Sequence, residues 1–255
     1  MNCEGVKKLL SEQQMLTESA AQHLQNCEGC SAMLQALTPS GAQPASERVQ
    51  RIQELLGARL TAVRPLASDR KLTCQFLATF IAFSMLAAIP FGYQGFDLLN
   101  GYQKSAYYGA ISIAAAWLAV TMVREMIPGS KRKVSPWWAI LGALVSLAFL
   151  TALLFRDFDL DRFVSLGAPC LRLALICAIV SGGLFWFILR RGFFTSLIEA
   201  GASIGAFAGL AGVAVLALHC PIENSAHVLV WHLGAVVLGG IAGALAGRLR
   251  LRLRS

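Results

Sequence analysis

The sequence predicts an all-α protein in which a small helical module precedes a six-helix transmembrane bundle. Hydrophobic residues make up 56% of the 255 residues and charged residues only 14%, a balance more apolar than that of soluble proteins. Six long apolar stretches account for this excess, and all of them follow residue 71. Ahead of them, a histidine and two cysteines stand at helical spacing in a polar segment, which indicates a separate small module.

The chemistry of the N-terminal segment is concentrated in the motif HLQNCEGC. His23 and Cys27 are four residues apart and Cys27 and Cys30 three apart, so a helix would carry all three on one side. Because no secretory signal precedes them, we expect reducing cytosol, where metal binding is favoured over disulfides. The alternative for a CxxC alone is a redox pair or coincidence. Zinc prefers four such ligands, and Cys3, His23, Cys27 and Cys30 are therefore predicted to bind one structural zinc ion.

Residues 1–37 resemble the zinc-binding anti-sigma domain. The signature of that family is His-x3-Cys-x2-Cys, with a further Cys or His ligand in the first helix, and the four predicted ligands stand at those positions. The resemblance implies a short first helix, a turn, a ligand-bearing helix and a continuing amphipathic helix. It also implies that the module docks on a sigma factor and keeps it from RNA polymerase.

Residues 38–70 are predicted to form a linker and an amphipathic helix. The stretch TPSGAQPAS is polar and contains two prolines, which is typical of a linker. After Ser46, a plausible N-cap, apolar residues repeat at helical spacing opposite arginines and a glutamate. Three interpretations of this helix remain open. It could pack on the zinc module, lie on the inner membrane surface, or enter a groove of a partner protein. Its candidate sigma-binding residues are Val49, Ile52, Leu56 and Leu60.

The six apolar stretches each approach the ~20 residues that a helix needs to cross a bilayer. They span residues 72–91, 106–123, 136–155, 166–189, 199–219 and 227–246. Ten lysines and arginines lie in the loops after the second and fourth stretches and in the tail, against three in the alternate loops. Because basic residues favour the cytoplasmic side, both termini are predicted to be cytoplasmic.

Two of the stretches carry glycines at every fourth residue. Small residues on one face let two helices approach closely, so these glycines predict tight helix packing. They are Gly201, Gly205 and Gly209 in the fifth stretch and Gly239, Gly243 and Gly247 in the sixth. The stretches lack paired acidic residues at mid-depth and matched helix breaks, which argues against a transporter. They also lack an acid, base and nucleophile at a shared depth, which argues against an enzyme.

Residues 46–255 resemble the negative-regulator-of-sigma-F family of membrane anti-sigma factors. The resemblance lies in LTAVRPLASDRK before the first stretch, in the six stretches and in the cysteine of LHCPIENSAHVLVWHLG. It implies that the cytoplasmic N-terminal part binds the sigma factor. It also implies that two outward-facing cysteines take part in sensing stress, and Cys170 and Cys220 stand at those positions.

The predicted topology places Cys170 and Cys220 at the same membrane surface, on helices that are neighbours along the chain. Two such thiols form a disulfide if their Cα atoms lie within about 7 Å. They could instead share a soft metal ion, with His219 and His227 as further ligands. The remaining alternative is that each cysteine is a small packing residue, which is the interpretation we favour for Cys177.

Together with the predicted topology, the two resemblances imply an integral-membrane anti-sigma factor of the bacterial inner membrane that binds an extracytoplasmic-function sigma factor and releases it on a stress signal. Its parts are a cytoplasmic zinc module over residues 1–37, a linker and helix over 38–70, a six-span sensor over 71–248 and a basic tail over 249–255. Direct nucleic-acid binding is not expected, because residues 1–70 hold seven basic and seven acidic side chains. The alternatives are a small-solute transporter with a regulatory zinc tail and a membrane thiol oxidoreductase.

Overall fold

The structure is a computed structural model, and its described residues form two compact units, Met1–Arg64 and Pro65–Ser255. The described residues are 2–11, 17–37, 49–50, 53–54, 68–126, 134–158, 162–189, 194 and 196–252. Their regular elements are all helical. The predicted fold class, a small helical region followed by six long apolar helices, is therefore confirmed.

The first unit contains three short helices, α1 (Cys3–Ser11), α2 (Glu18–Asn26) and α3 (Glu28–Leu37). Its core consists of Val6, Leu24 and Cys30, with Cys27 and Leu34 partly buried against them. A core of this size provides little hydrophobic stabilisation, and small domains of this kind usually depend on a metal or a disulfide. The first unit therefore has few apolar contacts with which to hold three helices together.

The predicted sigma-binding helix falls largely outside the described residues. Residues 49–50 and 53–54 are helical, and the side chain of Val49 is 52% exposed. Ile52, Leu56 and Leu60 lie outside the described residues. The proposed role of this stripe therefore stays a prediction.

The second unit contains six helices that are long and apolar enough to cross a membrane. They are Asp69–Phe91, Gly101–Glu125, Pro136–Leu154, Phe163–Leu189, Leu197–His219 and Ser225–Arg250. We label the main helices of this unit α4 (Asp69–Ala88), α6 (Gly101–Glu125), α7 (Pro136–Leu154), α8 (Phe163–Leu189), α9 (Leu197–His219) and α11 (Leu233–Arg252). Two short helices, α5 (Gln94–Leu98) and α10 (Ser225–His227), lie in the connections. Each long helix overlaps one of the six predicted stretches.

Helix α9 is the centre of the second unit. Most of its side chains are buried, and it contacts α4, α6, α8 and α11. Phe207 of α9 packs against Phe185 of α8 with ring centroids 4.6 Å apart, and Phe76 of α4 lies within 6.3 Å of the same ring. The surrounding helices expose large apolar residues such as Ile179 and Ile113. An apolar exterior around an apolar core is what a bilayer requires of a helical bundle.

The tight helix packing predicted from the glycine stripes is observed, and the structure shows in addition that the two stripes pack against each other, between α9 and α11. A Cβ added to Gly205 would clash with the carbonyl oxygen of Gly239, and one added to Gly201 would clash with that of Gly243. The antiparallel helices thus meet backbone to backbone along their length. Close packing of this kind drives helix association in lipid, where no hydrophobic force exists between apolar side chains.

Candidate functional site

The first unit brings the four predicted zinc ligands into one cluster. Cys3 begins α1, His23 lies in α2, Cys27 lies between α2 and α3, and Cys30 lies in α3. The Cys3 sulfur is 3.4 Å from Nε2 of His23 and 3.8 Å from the Cys27 sulfur. One donor atom from each of the four residues lies within 4.8 Å of the other three, so the group could hold a metal ion.

These separations match the edges of a zinc tetrahedron. With Zn–S bonds of about 2.3 Å and Zn–N bonds of about 2.0–2.1 Å, two sulfurs stand about 3.8 Å apart and a sulfur and a nitrogen about 3.5 Å. A disulfide would require a sulfur separation of about 2.05 Å. The donor set and its spacing therefore fit a closed, structural zinc site.

The ligands do not share one continuous helix, contrary to the sequence-based expectation. Cys27 adopts an extended backbone conformation, with φ −127° and ψ 105°, and separates α2 from α3. The interruption lets α3 turn relative to α2, and the sulfur of Cys30 is buried while Cys3 is exposed. The spacing of His23, Cys27 and Cys30 therefore predicted correctly that they lie close together, although the chain forms two helices there and not one.

The two cysteines of the CxxC pair differ in acidity. The Cys30 backbone N–H donates to the Cys27 sulfur, and this bond, with a smaller effect of Cys3, lowers the pKa of Cys27. Burial, with a smaller effect of the neighbouring Cys27, raises the pKa of Cys30 to about 11. Since a thiolate is the form that binds metal, a metal ion must displace the proton of Cys30 at neutral pH.

The second unit contains another cluster of cysteines and histidines. The sulfur of Cys170 is 3.7 Å from that of Cys220, which in turn is 3.5 Å from Nε2 of His227. Together with His232, these residues place one donor atom each within 4.8 Å of the others. Cys170 is half-buried and the other three are buried. The structure thus brings together the two cysteines that the sequence analysis selected as a sensor pair.

This second cluster lies at the end of the bundle that holds the α4–α6, α7–α8 and α9–α11 connections, which we call the distal end. Cys170 lies near the start of α8, and Cys220 follows the last residue of α9. Asn224 accepts a hydrogen bond from the His227 backbone N–H at 3.0 Å and so caps α10. The Ser225 N–H donates to the Asp157 carbonyl at 2.8 Å, which ties α10 to the α7–α8 connection.

A π-helical turn over Val228–His232 positions the two histidines. In an α-helix, residues five apart point about 140° away from each other around the axis. The wider i→i+5 turn of a π-helix brings them to the same side, and such turns are frequent at functional sites. The rings of His227 and His232 lie 5.2 Å apart at 78°. His232 was not among the residues predicted from the sequence, and its nearness to His227 depends on this π-helical turn, which α-helical spacing does not indicate.

Two further residues from the sequence analysis lie outside this cluster. The ring of His219 stacks against Phe91, with centroids 5.4 Å apart, so it is not among the four grouped residues. Cys177 is buried among apolar residues two turns after Cys170. Its surroundings agree with the packing role that we expected for it.

An open pocket of about 250 Å³ lies beside the second cluster. Its lining includes Asp157, Glu223, Asn224 and His227. Asp157 and Glu223 therefore line the same pocket as the buried His227. Carboxylates that line a pocket raise the local concentration of cations in it.

Comparison with known proteins gave one informative result. Residues 56–253 match the model of a family described as NrsF, negative regulator of sigma F. The matched region includes all six long helices and the second cluster, and the first cluster lies before it. Neither the comparison with curated proteins nor that with solved structures gave a match.

Proposed function

The chain belongs to the family of negative regulators of sigma F, and from this membership we propose that it is an integral-membrane anti-sigma factor. It sequesters an extracytoplasmic-function sigma factor and releases it on a stress signal at the outer face. The family match over most of the chain is the single observation that carries this proposal. A regulator of this kind is not expected to have an enzymatic activity.

We assign sigma binding to residues 1–70. In this assignment the first cluster binds one structural zinc ion, which holds α1, α2 and α3 together. The small core of the first unit supports this role, because binding free energy from a metal would then contribute directly to folding. The side chain of Val49, the first residue of the proposed sigma-binding stripe, is exposed and therefore accessible to a partner.

We place both termini in the cytoplasm and the distal end outside, in the bacterial inner membrane. Charge supports this orientation. Arg124, Arg248 and Arg250 lie at the end opposite to the distal one, whereas the distal connections carry Asp97, Asp157 and Glu223. Basic residues in short loops favour the cytoplasmic side.

We assign sensing of the outside signal to Cys170 and Cys220. Their sulfurs lie close enough to respond jointly to an oxidant or a metal. A change at this pair alters the contact between α8 and the end of α9, and both helices continue toward the cytoplasmic side. The sensor part thereby biases the equilibrium between sigma-bound and sigma-free forms.

A reconstitution of the regulatory pair tests the proposal. The full-length chain is co-expressed with each extracytoplasmic-function sigma factor of the same genome in turn. Transcription from a promoter of that sigma factor is measured together with co-purification from detergent-solubilised membranes. We expect repression of the promoter and recovery of the sigma factor with the membrane protein. Absence of repression by the full-length chain with every sigma factor tested would contradict the proposed function. A chain lacking residues 1–70 provides the control, and equal repression by both forms would contradict only the assignment of sigma binding to those residues.

A further inference from the structure

The buried cluster at the distal end is more than a pair of thiols. We propose that Cys170, Cys220, His227 and His232 form a second, closed metal site that binds one divalent ion of the zinc class. This inference deepens the proposed function by giving the sensor pair a ligand, and it rests on that function only for its regulatory consequence. Metal binding itself is independent of any sigma factor.

The spacing of the donor atoms fits a tetrahedral ion. The two sulfurs are 3.7 Å apart, and the Cys220 sulfur is 3.5 Å from Nε2 of His227. The corresponding edges of a Zn²⁺ tetrahedron are about 3.8 Å and about 3.5 Å. The observed distances agree with these edges within a few tenths of an ångström. The donor atom of His232 lies within 4.8 Å of the other three donor atoms.

His232 supplies the independent indication of a ligand. Its side chain is only 2% exposed, yet neither ring nitrogen has a hydrogen-bond partner among the described residues. A buried polar group without a partner costs free energy. A metal ion bound by one nitrogen removes part of that cost. A Cys170–Cys220 disulfide would instead leave both ring nitrogens of His232 without a partner.

Charge balance favours a divalent ion in this buried place. On binding, the ion displaces the protons of the two thiols, which leave to solvent, and two neutral imidazoles complete the coordination. Two thiolates and a 2+ ion sum to zero, so the occupied site buries no net charge. Two sulfurs and two nitrogens are a standard ligand set for zinc and disfavour the harder ions magnesium and calcium.

The surroundings also fit a metal site. The pocket that contains Asp157 and Glu223 is also lined by His227, so a cation held there would lie beside one ligand of the cluster. The ring of Trp231 lies against Gly167, where any Cβ would clash with the indole, and this contact fixes the π-helical turn against α8 one turn before Cys170. The ligands are thus held on rigid elements before the ion binds.

Cobalt titration of the full-length chain in detergent micelles tests the site. Cys27→Ser and Cys30→Ser are present throughout, so that the first cluster does not contribute to the count. We expect one Co²⁺ per chain under reducing, anaerobic conditions, with the absorption bands of tetrahedral thiolate-bound cobalt and their loss when Zn²⁺ is added. His227→Gln and His232→Gln should each weaken binding by at least about tenfold, since loss of even a supporting group costs that much.

Two matched variants serve as controls. His219→Gln removes a histidine at the same end of the bundle, and Cys177→Ser removes another buried cysteine of α8. Both should retain the cobalt spectrum and affinity. A second readout needs no change in the cluster, because bound Zn²⁺ should protect Cys170 and Cys220 from alkylation, as mapped by mass spectrometry of the peptides.

Three results would overturn the proposal. The first is a reduced, folded chain without the cobalt spectrum, and the second is unchanged affinity in both histidine variants. The third is alkylation of Cys170 and Cys220 at the same rate with and without Zn²⁺. Failure to repress transcription with an intact cobalt site would instead refute the proposed function and leave the metal site in place.

Discussion

The sulfur of Cys170 lies 3.7 Å from the sulfur of Cys220, although fifty residues separate them in the sequence. The two side chains come from adjacent helices, α8 and α9, whose packing brings them together at the distal end. Both are free thiols at this separation, which suits two ligands of one ion.

Removal of either thiol of the Cys170–Cys220 pair should abolish induction of the sigma-dependent reporter. We expect Cys170→Ser and Cys220→Ser each to retain basal repression but to lose the response of a sigma-dependent reporter to thiol-reactive metals and oxidants. Cys177→Ser is the matched control, since Cys177 is buried in the same helix outside the cluster. Full induction in the double variant would exclude the paired sensor.

Chelation should unfold the first unit. A fragment of residues 1–70, purified under reducing conditions, should contain one zinc ion and lose helicity when the ion is removed, because its apolar core is small. Cys30→Ala should have the same effect without a chelator, as Cys30 is both a ligand and part of that core. Ser31→Ala is the control, and a helical, metal-free fragment would contradict the zinc assignment.

Zinc affinity of the same fragment should rise with pH. The pKa of Cys30, raised by burial to about 11, lies above the range from pH 6 to 8, so binding releases its proton throughout that range. Each released proton strengthens binding by about tenfold per pH unit. Zinc competition with a chromophoric chelator at several pH values measures the slope. A slope below one proton would show that Cys30 is not a ligand.

The amphipathic helix after the linker should contribute to sigma binding. Ile52→Asp with Leu56→Asp should weaken the complex by about 3–5 kcal/mol, because an unpaired charge would enter an apolar groove. Binding of the 1–70 fragment is measured by calorimetry with the sigma factor. Gln53→Asp, at an exposed position of the same segment, should have little effect. Equal affinity of the double variant and the unmodified fragment would show that this helix does not contribute to sigma binding.

The contact between α9 and α11 should be intolerant of a single methyl group. Gly243→Ala places a Cβ against the Gly201 carbonyl, so the two backbones must separate, and we expect a loss of about 1–3 kcal/mol. Gly142→Ala is the control, as no described atom lies within 4 Å of its added Cβ. Thermal unfolding in detergent compares the two, and similar midpoints would contradict the observed packing.

Hydropathy alone was sufficient to predict the six long helices. Spacing predicted that His23, Cys27 and Cys30 lie together, whereas Cys3 was added from the need for a fourth ligand and from the family resemblance. The central position of α9 was not predictable, because its mean hydropathy of 2.0 is matched by that of α8 and α7. His232 was missed for a different reason. Its nearness to His227 depends on a π-helical turn, and sequence periodicity assumes the α-helical turn.

The glycine contact between α9 and α11 restricts what can move at the distal end. Cys220, His227 and His232 all belong to this pair of helices or to the connection between them, and the two backbones have no intervening side chains that could repack. Cys170 alone belongs to α8. The glycine contact therefore holds α9 and α11 together as one frame, and if the cluster senses a signal we expect the response to be a shift or rotation of α8 relative to that frame.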